Sequence, residues 1–235
     1  MHQLLEMMSQ GTHSAITAWI WGFSLILQLT LFIALFTRRV SAAFPFFTNL
    51  IGFYLIRSIL LYVAFDYFSG EAYSGIYNFL LLLDILVQMG MVVELTRSLA
   101  VEAGGSGPIR IIYISGGILL ASLGTWVLML LMPKASIPLD RSQIFFSIIG
   151  VLLLIASFRS SNHLLRTIAQ GWGVFSLISF AAGIGRVFAA AGNHPRGYAA
   201  WSYALACGYL VTVAFWLVAL RTPSGTRIVR SPQDA

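Results

Sequence analysis

Long apolar runs separated by short polar loops dominate the chain. Windows of about twenty residues identify the runs that can cross a hydrocarbon core of about 30 Å. Seven such runs occur, at roughly 14–37, 43–65, 74–98, 110–132, 143–158, 166–190 and 198–220. The pattern predicts an all-α, polytopic membrane protein, built as a bundle of seven transmembrane helices.

The polar segments predict how the chain is organised around that bundle. Residues 1–13 lack the basic region of a cleaved signal peptide, and the first apolar run is long enough to remain as a helix. We therefore expect an extracellular N-terminal segment over 1–13, a single transmembrane domain over 14–220 and a flexible, basic cytoplasmic tail over 221–235. Because the loops between the runs are short, no soluble catalytic or signalling domain is predicted.

Basic residues in the loops predict the orientation, because Lys and Arg are retained on the cytoplasmic side of a membrane. One set of loops, together with the tail, holds nine of them: Arg38, Arg39, Arg97, Arg110, Arg159, Arg166, Arg221, Arg227 and Arg230. The other set holds only Lys134, Arg141 and Arg196. The N terminus is therefore predicted outside and the C terminus in the cytoplasm. The preference for arginine over lysine suggests GC-rich bacterial coding, so we expect a multi-pass protein of a bacterial inner membrane.

Composition agrees with a membrane environment and narrows the partners. Of the 235 residues, 58% are hydrophobic and only 9% are charged, whereas soluble domains carry about a quarter charged residues. The net charge of +6 is spread over the inner loops, where arginines set topology and contact anionic lipid. These basic residues are not interleaved with the aromatic residues on which nucleic-acid bases stack. The lipid bilayer is therefore the expected partner, and nucleic acid is not.

Cofactor, metal and enzyme chemistry find no support in the sequence. Cys207 is the single cysteine, which excludes an internal disulfide and a cysteine-based metal site. No histidine lies inside a predicted span, so haem has no axial ligand there. The sequence contains no HExxH motif, no nucleophile elbow and no phosphate-binding glycine loop. We therefore predict no cofactor, no metal and no enzymatic activity.

Three charged residues inside the predicted spans are the exception to this apolar pattern. A charge at the bilayer centre costs about 2.5 to 3.5 kcal/mol on insertion scales, so such residues usually face protein or water and find a partner. Arg57 and Asp84 each lie about nine residues from the predicted outer end of their span, or roughly 13 Å deep at 1.5 Å per residue. Arg186 lies five residues from the outer end of its span, or about 8 Å deep.

Helical spacing predicts that these charges share an interior face. In the third span Tyr77, Asp84 and Gln88 follow one stripe at steps of three and four residues. In the first span Trp21 and Gln28 follow a similar stripe. We expect the stripes to converge on one cavity in the outer half of the bundle.

Two interpretations of the cluster remain open. In the first, Arg57 and Asp84 form a structural ion pair, and Arg186 reaches to the outer interface. In the second, two arginines and one carboxylate leave a surplus positive charge that binds a small anion or carboxylate, since a guanidinium matches that geometry. The predicted ligand-binding residues are Arg57, Asp84, Arg186, Gln28, Gln88, Trp21, Tyr54, Tyr77 and Tyr203.

Glu94 is predicted to have a different role. It leaves the Asp84 stripe, because ten steps of 100° turn it to another face, and it precedes Arg97 by three residues near the inner end. The simplest interpretation is an ion pair with Arg97, or with Arg38 or Arg166 across helices. The alternative is a latch of Glu94 and Arg97 that closes the cytoplasmic side.

Three classes of function follow from these features. The first is a small receptor or sensor that binds an anionic or polar ligand from outside and reports to a membrane or cytoplasmic partner protein. The second is a small solute transporter with three helices, a linker helix and three more helices, an arrangement suggested by weak internal similarity between the third and seventh spans. The third is a structural subunit of a larger membrane complex.

Overall fold

The computed structural model describes residues 15–102, 104, 107–131 and 141–220. These residues form eight helices and no strand: α1 Ala15–Thr37, α2 Val40–Ala43, α3 Pro45–Tyr67, α4 Gly70–Glu102, α5 Gly107–Leu131, α6 Arg141–Ser157, α7 His163–Ala191 and α8 Pro195–Ala219. The predicted N-terminal segment 1–13 and tail 221–235 lie outside the described residues.

Five of the helices are long and apolar enough to cross a membrane. They are α1, α3, α4, α7 and α8, with α4 the longest at 33 residues. In α5 and α6 the apolar stretches of described side chains are shorter, Ser115–Val127 and Gln143–Ser157. Large apolar side chains face outward, such as Trp19 and Leu86 at 77% and 60% exposure. These features are those of an integral membrane protein.

Local chemistry explains where several helices begin. Pro45 and Pro195 occupy the first turns of α3 and α8, where a missing backbone N–H costs nothing and the fixed φ favours the helix. Asn162 caps α7 with its side-chain oxygen, which accepts hydrogen bonds from the backbone N–H groups of Leu164 and Leu165. Proline and asparagine thus set three of the helix starts more sharply than hydropathy does.

The long helices pack as a ring in chain order, and α4 makes further contacts beyond its two chain neighbours. Each long helix packs against the next one along the chain, and α8 returns to pack against α1. α4 contacts α3, α5, α6 and α7. α6 and α7 approach closely at two glycines: a Cβ atom on Gly173 would lie 2.8 Å from the carbonyl oxygen of Gly150. Such small residues allow neighbouring backbones in membrane helices to approach.

The two ends of the bundle differ in packing. We call the end at which α3 turns into α4 the α3–α4 end, and the opposite end, which carries α2, the α2 end. The main apolar core fills the half towards the α2 end, where several side chains are almost completely buried. They include Leu31, Leu35, Phe47, Leu50, Ile51, Met91, Leu95, Leu165, Ile168, Val213 and Trp216. The opposite half contains the charged residues Arg57, Asp84 and Arg186, with Gln28 and Gln88 beside them.

Candidate functional site

A cavity of about 460 Å³ lies between six helices in the half of the bundle towards the α3–α4 end. Residues of α1, α3, α4, α6, α7 and α8 line it, and its volume lies within the range of about 300 to 1,000 Å³ typical of small-molecule sites. Its charged lining residues are Arg57, Asp84 and Arg186. The described lining therefore carries one surplus positive charge.

Arg57 on α3 and Asp84 on α4 form an ion pair within this cavity. Arg57 Nη1 lies 2.6 Å from Asp84 Oδ2, and the amide of Gln88 donates a hydrogen bond of 2.8 Å to Asp84 Oδ1. Tyr54 also lies close to the Asp84 carboxylate. The Arg57 guanidinium lies over the ring of Tyr77, 5.9 Å from its centroid. Both carboxylate oxygens of Asp84 therefore have partners, and the pair is fully matched.

Arg186 on α7 has a neutral partner instead. Its Nη2 donates a hydrogen bond of 3.0 Å to Gln143 Oε1 on α6, and Gln143 Nε2 in turn donates one of 2.8 Å to the Ser179 hydroxyl. Among the described residues, no carboxylate forms an ion pair with Arg186. The guanidinium is thus oriented by an amide, and no carboxylate in the described part of the chain neutralises its charge.

Aromatic and polar side chains complete the walls. Tyr209 on α8 packs edge-on against Tyr54 and Phe175, at centroid distances of 5.8 and 5.6 Å. The Tyr209 hydroxyl and Gln28 Oε1 are buried and have no hydrogen-bond partner within the described part of the chain. Unsatisfied buried polar atoms are rare in folded proteins and are often associated with functional sites.

The floor of the cavity is formed by packed side chains. Gln88 lines the cavity, but Met91 and Leu95, the next residues on its stripe, are completely buried. Phe47 on α3 and Trp216 on α8 meet edge-on at 4.9 Å in the same core. The cavity as described does not extend along α4 to Glu94.

The cavity brings together most of the residues predicted from the sequence. Eight of them line it: Arg57, Asp84, Arg186, Gln28, Gln88, Trp21, Tyr54 and Tyr77. The ninth, Tyr203, does not line the cavity and is 44% exposed. It lies one residue from Ser202, which does line it, so the helical turn of 100° per residue directs Tyr203 outward. A role in ligand binding stays a prediction for the eight.

Sequence reasoning missed several lining residues, above all Gln143. It lies near the start of the shortest apolar run, where a polar residue is typical of a membrane interface. Its position three residues before Phe146, which also lines the cavity, was the signal that could have placed it on an inward face. The apolar lining residues Trp172, Phe175 and Leu205 have no feature that separates them from ordinary core residues.

Glu94 has a role different from the one predicted. Its two carboxylate oxygens accept hydrogen bonds of 3.1 and 3.0 Å from the backbone N–H groups of Phe46 and Phe47 in the first turn of α3. Among the described residues it forms no ion pair with Arg97, Arg38 or Arg166. The backbone N–H groups at the start of a helix have no partner within the helix, and they bind a nearby carboxylate favourably. At Glu94 these groups take the place of the predicted arginine. A latch through a Glu94–Arg97 ion pair is therefore not formed in this structure.

Glu102, the last residue of α4, has a similar role. Its carboxylate accepts hydrogen bonds from the Ser160 and Ser161 hydroxyls and from the backbone N–H groups of Ser161 and Asn162, just before α7. Two carboxylates of α4 thus hold the starts of two other helices at the α2 end.

Among the described residues, no three His, Cys, Asp or Glu side chains cluster as a metal site would require. The site and fold together define a class, an integral membrane protein of bundled helices with a charged interior cavity. Comparison of the chain with protein-family models, with curated proteins and with solved structures finds no match.

Proposed function

We propose that the protein is a receptor-like, seven-span membrane protein that binds a small anion, and best a carboxylate, in the cavity between its helices. In this proposal α5 and α6 complete the spans that five helices already provide. The α3–α4 end faces outward, and the arginine-rich α2 end faces the cytoplasm, following the retention of basic loops inside.

The observation that carries the proposal is the unequal pairing of the two cavity arginines. Asp84 is matched by Arg57, whereas Arg186 is oriented by the neutral amide of Gln143. A guanidinium that is held in place but not neutralised suits a carboxylate, which it can bind through two parallel hydrogen bonds. Low local dielectric strengthens such a contact relative to water.

The packed floor supports a receptor more than a transporter. A transport path would continue from Gln88 towards Glu94, but Met91 and Leu95 fill that direction. A ligand bound at Arg186 therefore acts on the positions of α6 and α7 and is not passed through the bundle. The signal would then reach a separate membrane or cytoplasmic protein through the α2 end.

Thermal unfolding of the purified protein in non-ionic detergent tests the proposal. We expect acetate, succinate or phosphate to raise the midpoint at constant ionic strength, and the neutral analogue acetamide to have no effect. For the anion that stabilises the wild type, Arg186→Gln should lower the affinity about 10- to 100-fold, because hydrogen bonds to charged groups contribute about 1.5 to 3 kcal/mol. The matched control is Arg196→Gln, an exposed arginine at the α7–α8 turn that does not line the cavity.

Two results would contradict anion binding at this site. The first is that no anion stabilises the wild-type protein beyond a salt effect common to all of them. The second is that Arg186→Gln retains the full stabilisation while remaining folded. Equal losses in Arg186→Gln and Arg196→Gln would point to surface charge and would also reject the cavity.

A transporter is the second candidate, and the order of the helices favours it. α1, α3 and α4 pack against one another in chain order before α5, and α6, α7 and α8 do so after it. Paired sets of three helices are used by several transporters. Uptake of labelled acetate or succinate into proteoliposomes, lost in Arg186→Gln, would establish transport.

If the protein is instead a subunit of a larger complex, a partner protein should copurify with it in stoichiometric amounts in mild detergent.

A further inference from the structure

A second cavity lies apart from the anion site, between α4, α5 and α6 in the half towards the α2 end. Its volume is about 700 Å³, and we call it the α5 crevice. Most of its lining is apolar, with Leu99, Leu152 and Leu153 among the side chains and Gly116 and Gly117 on α5. It shares no lining residue with the anion cavity.

The glycine pair leaves one wall of the crevice open. A Cβ atom added to Gly116 or Gly117 would meet no atom of the described residues within 4 Å, whereas one added to Gly124 further along α5 would lie 2.9 Å from Ile148 on α6. α5 and α6 therefore touch beyond the crevice but are separated beside it. Small residues here do not serve close helix packing.

The polar residues of the crevice are concentrated at one end. Glu102, Arg159 and Ser160 lie where α4 ends and the α6–α7 loop begins, and apolar residues extend inward from there. Val92 lies ten residues before the end of α4, or about 15 Å inward at 1.5 Å per residue. That depth equals about half of a hydrocarbon core of about 30 Å, so the crevice is as deep as one lipid leaflet.

The described mouth carries one carboxylate, Glu102, and one arginine, Arg159, and the two differ in their partners. The Glu102 carboxylate is occupied by hydrogen bonds from Ser160, Ser161 and Asn162. Arg159 is exposed and forms no ion pair with any residue that the structure describes. An arginine beside a leaflet-deep apolar crevice matches a phosphate headgroup with its acyl chain.

We infer that the α5 crevice binds an anionic phospholipid of the surrounding bilayer, with one acyl chain between α5 and α6 and the headgroup phosphate at Arg159. The lipid site and the anion cavity are separate, so a result that rejects one proposal does not reject the other. A lipid here fills the gap between α5 and the rest of the bundle, and so anchors α5, whose main contacts in the structure are with α4 and α6.

Native mass spectrometry of the full chain tests this inference. The protein is equilibrated in detergent with phosphatidylglycerol or phosphatidylcholine of identical acyl chains, and retained lipid is counted. We expect tighter retention of phosphatidylglycerol. Arg159→Gln should lower its affinity about fivefold, as expected for one arginine near an anionic headgroup. Gly117→Leu, which places a side chain inside the crevice, should reduce retention of both lipids.

Matched controls make the result specific. Arg39→Gln removes an exposed arginine from the α1–α2 turn at the same end, and Gly75→Leu adds a side chain in open space on α4 outside the crevice. Both should retain phosphatidylglycerol as the wild type does. Equal retention of the two lipids by the wild type, or equal losses in Arg159→Gln and Arg39→Gln, would overturn the inference. Because Arg159 is exposed, that variant remains informative even if Gly117→Leu does not fold.

Discussion

The two arginines of the central cavity have opposite electrostatic situations. Arg57 is bound to Asp84 at 2.6 Å and lies over an aromatic ring, whereas Arg186 is bound to the uncharged Gln143 at 3.0 Å. An ion pair of this kind fixes the register of two helices, and removing one partner leaves the other charge partly buried without its counter-charge, which lowers stability. An arginine with a neutral partner keeps its charge available. The same residue type is therefore paired on α3, whereas on α7 it is the group that we propose binds the ligand.

The largest effect should come from making the two arginines alike by removing the carboxylate. Asp84→Asn leaves Arg57 without a counter-charge, and breaking a buried ion pair costs about 3 kcal/mol or more. We expect a large drop in the thermal midpoint, partly restored when the effective anion is added, because Arg57 then becomes a second anion-binding group. Unchanged stability would mean that the Arg57–Asp84 pair is not structural.

The reverse exchange should abolish binding while sparing the fold. Gln143→Glu places a carboxylate against Arg186 with little change in shape, so the cavity becomes neutral. We expect anion stabilisation to fall at least as far as in Arg186→Gln, with a change in unfolding free energy of about 1 kcal/mol or less. Isothermal titration with acetate or succinate measures the first quantity, and thermal unfolding measures the second. Full anion affinity in Gln143→Glu would contradict the assigned role of Arg186.

A smaller effect is expected from the amide that supports the matched pair. Gln88→Leu removes the hydrogen bond to Asp84 Oδ1 but leaves both charges in place. The loss in unfolding free energy should be about 1 to 1.5 kcal/mol, measured by denaturant or thermal unfolding. The preference for anions over acetamide should persist, because the charge at Arg186 is unaltered.

The smallest effect is expected from the ring beneath Arg57. Tyr77→Leu removes the cation–π contact while keeping an apolar side chain, and such contacts at partly exposed sites contribute about 0.5 to 1 kcal/mol. Tyr203→Leu, outside the cavity, is the matched control and should change unfolding free energy less. If both variants behave alike, the ring contributes only apolar area.

Helix order and the stripe on α4 were predictable because they depend on local periodicity. Apolar runs of about twenty residues predicted the long helices, and the steps from Tyr77 to Asp84 and Gln88 predicted one inward face. Helix ends shifted by a few residues: α4 begins at Gly70 and ends at Glu102, beyond the predicted 74–98. Hydropathy detects the apolar part of a helix, but helices also continue into polar segments.

Partner choice was not predictable, because it depends on tertiary neighbours. Gln143 and Arg186 are 43 positions apart and meet only because α6 packs against α7. Glu94 had several arginines within plausible reach, yet it binds the amides that begin α3. A helix start offers unsatisfied N–H groups to any nearby carboxylate, and sequence alone does not show which helix start is near.

The carboxylates of α4 also determine which parts of the bundle can turn against each other. α3 is fastened to α4 at two levels, through Arg57 and Asp84 in the cavity and through Glu94 at the start of α3. Contacts at two levels fix both the position and the tilt of α3 against α4. In the part of the chain that the structure describes, the hydrogen bonds that join α4 to α7 lie at the start of α7, through Glu102, whereas Arg186 near its far end binds Gln143 on α6. Because α7 also packs along α6 and α8, we expect any rearrangement on ligand binding to move α6, α7 and α8 together against the pair of α3 and α4.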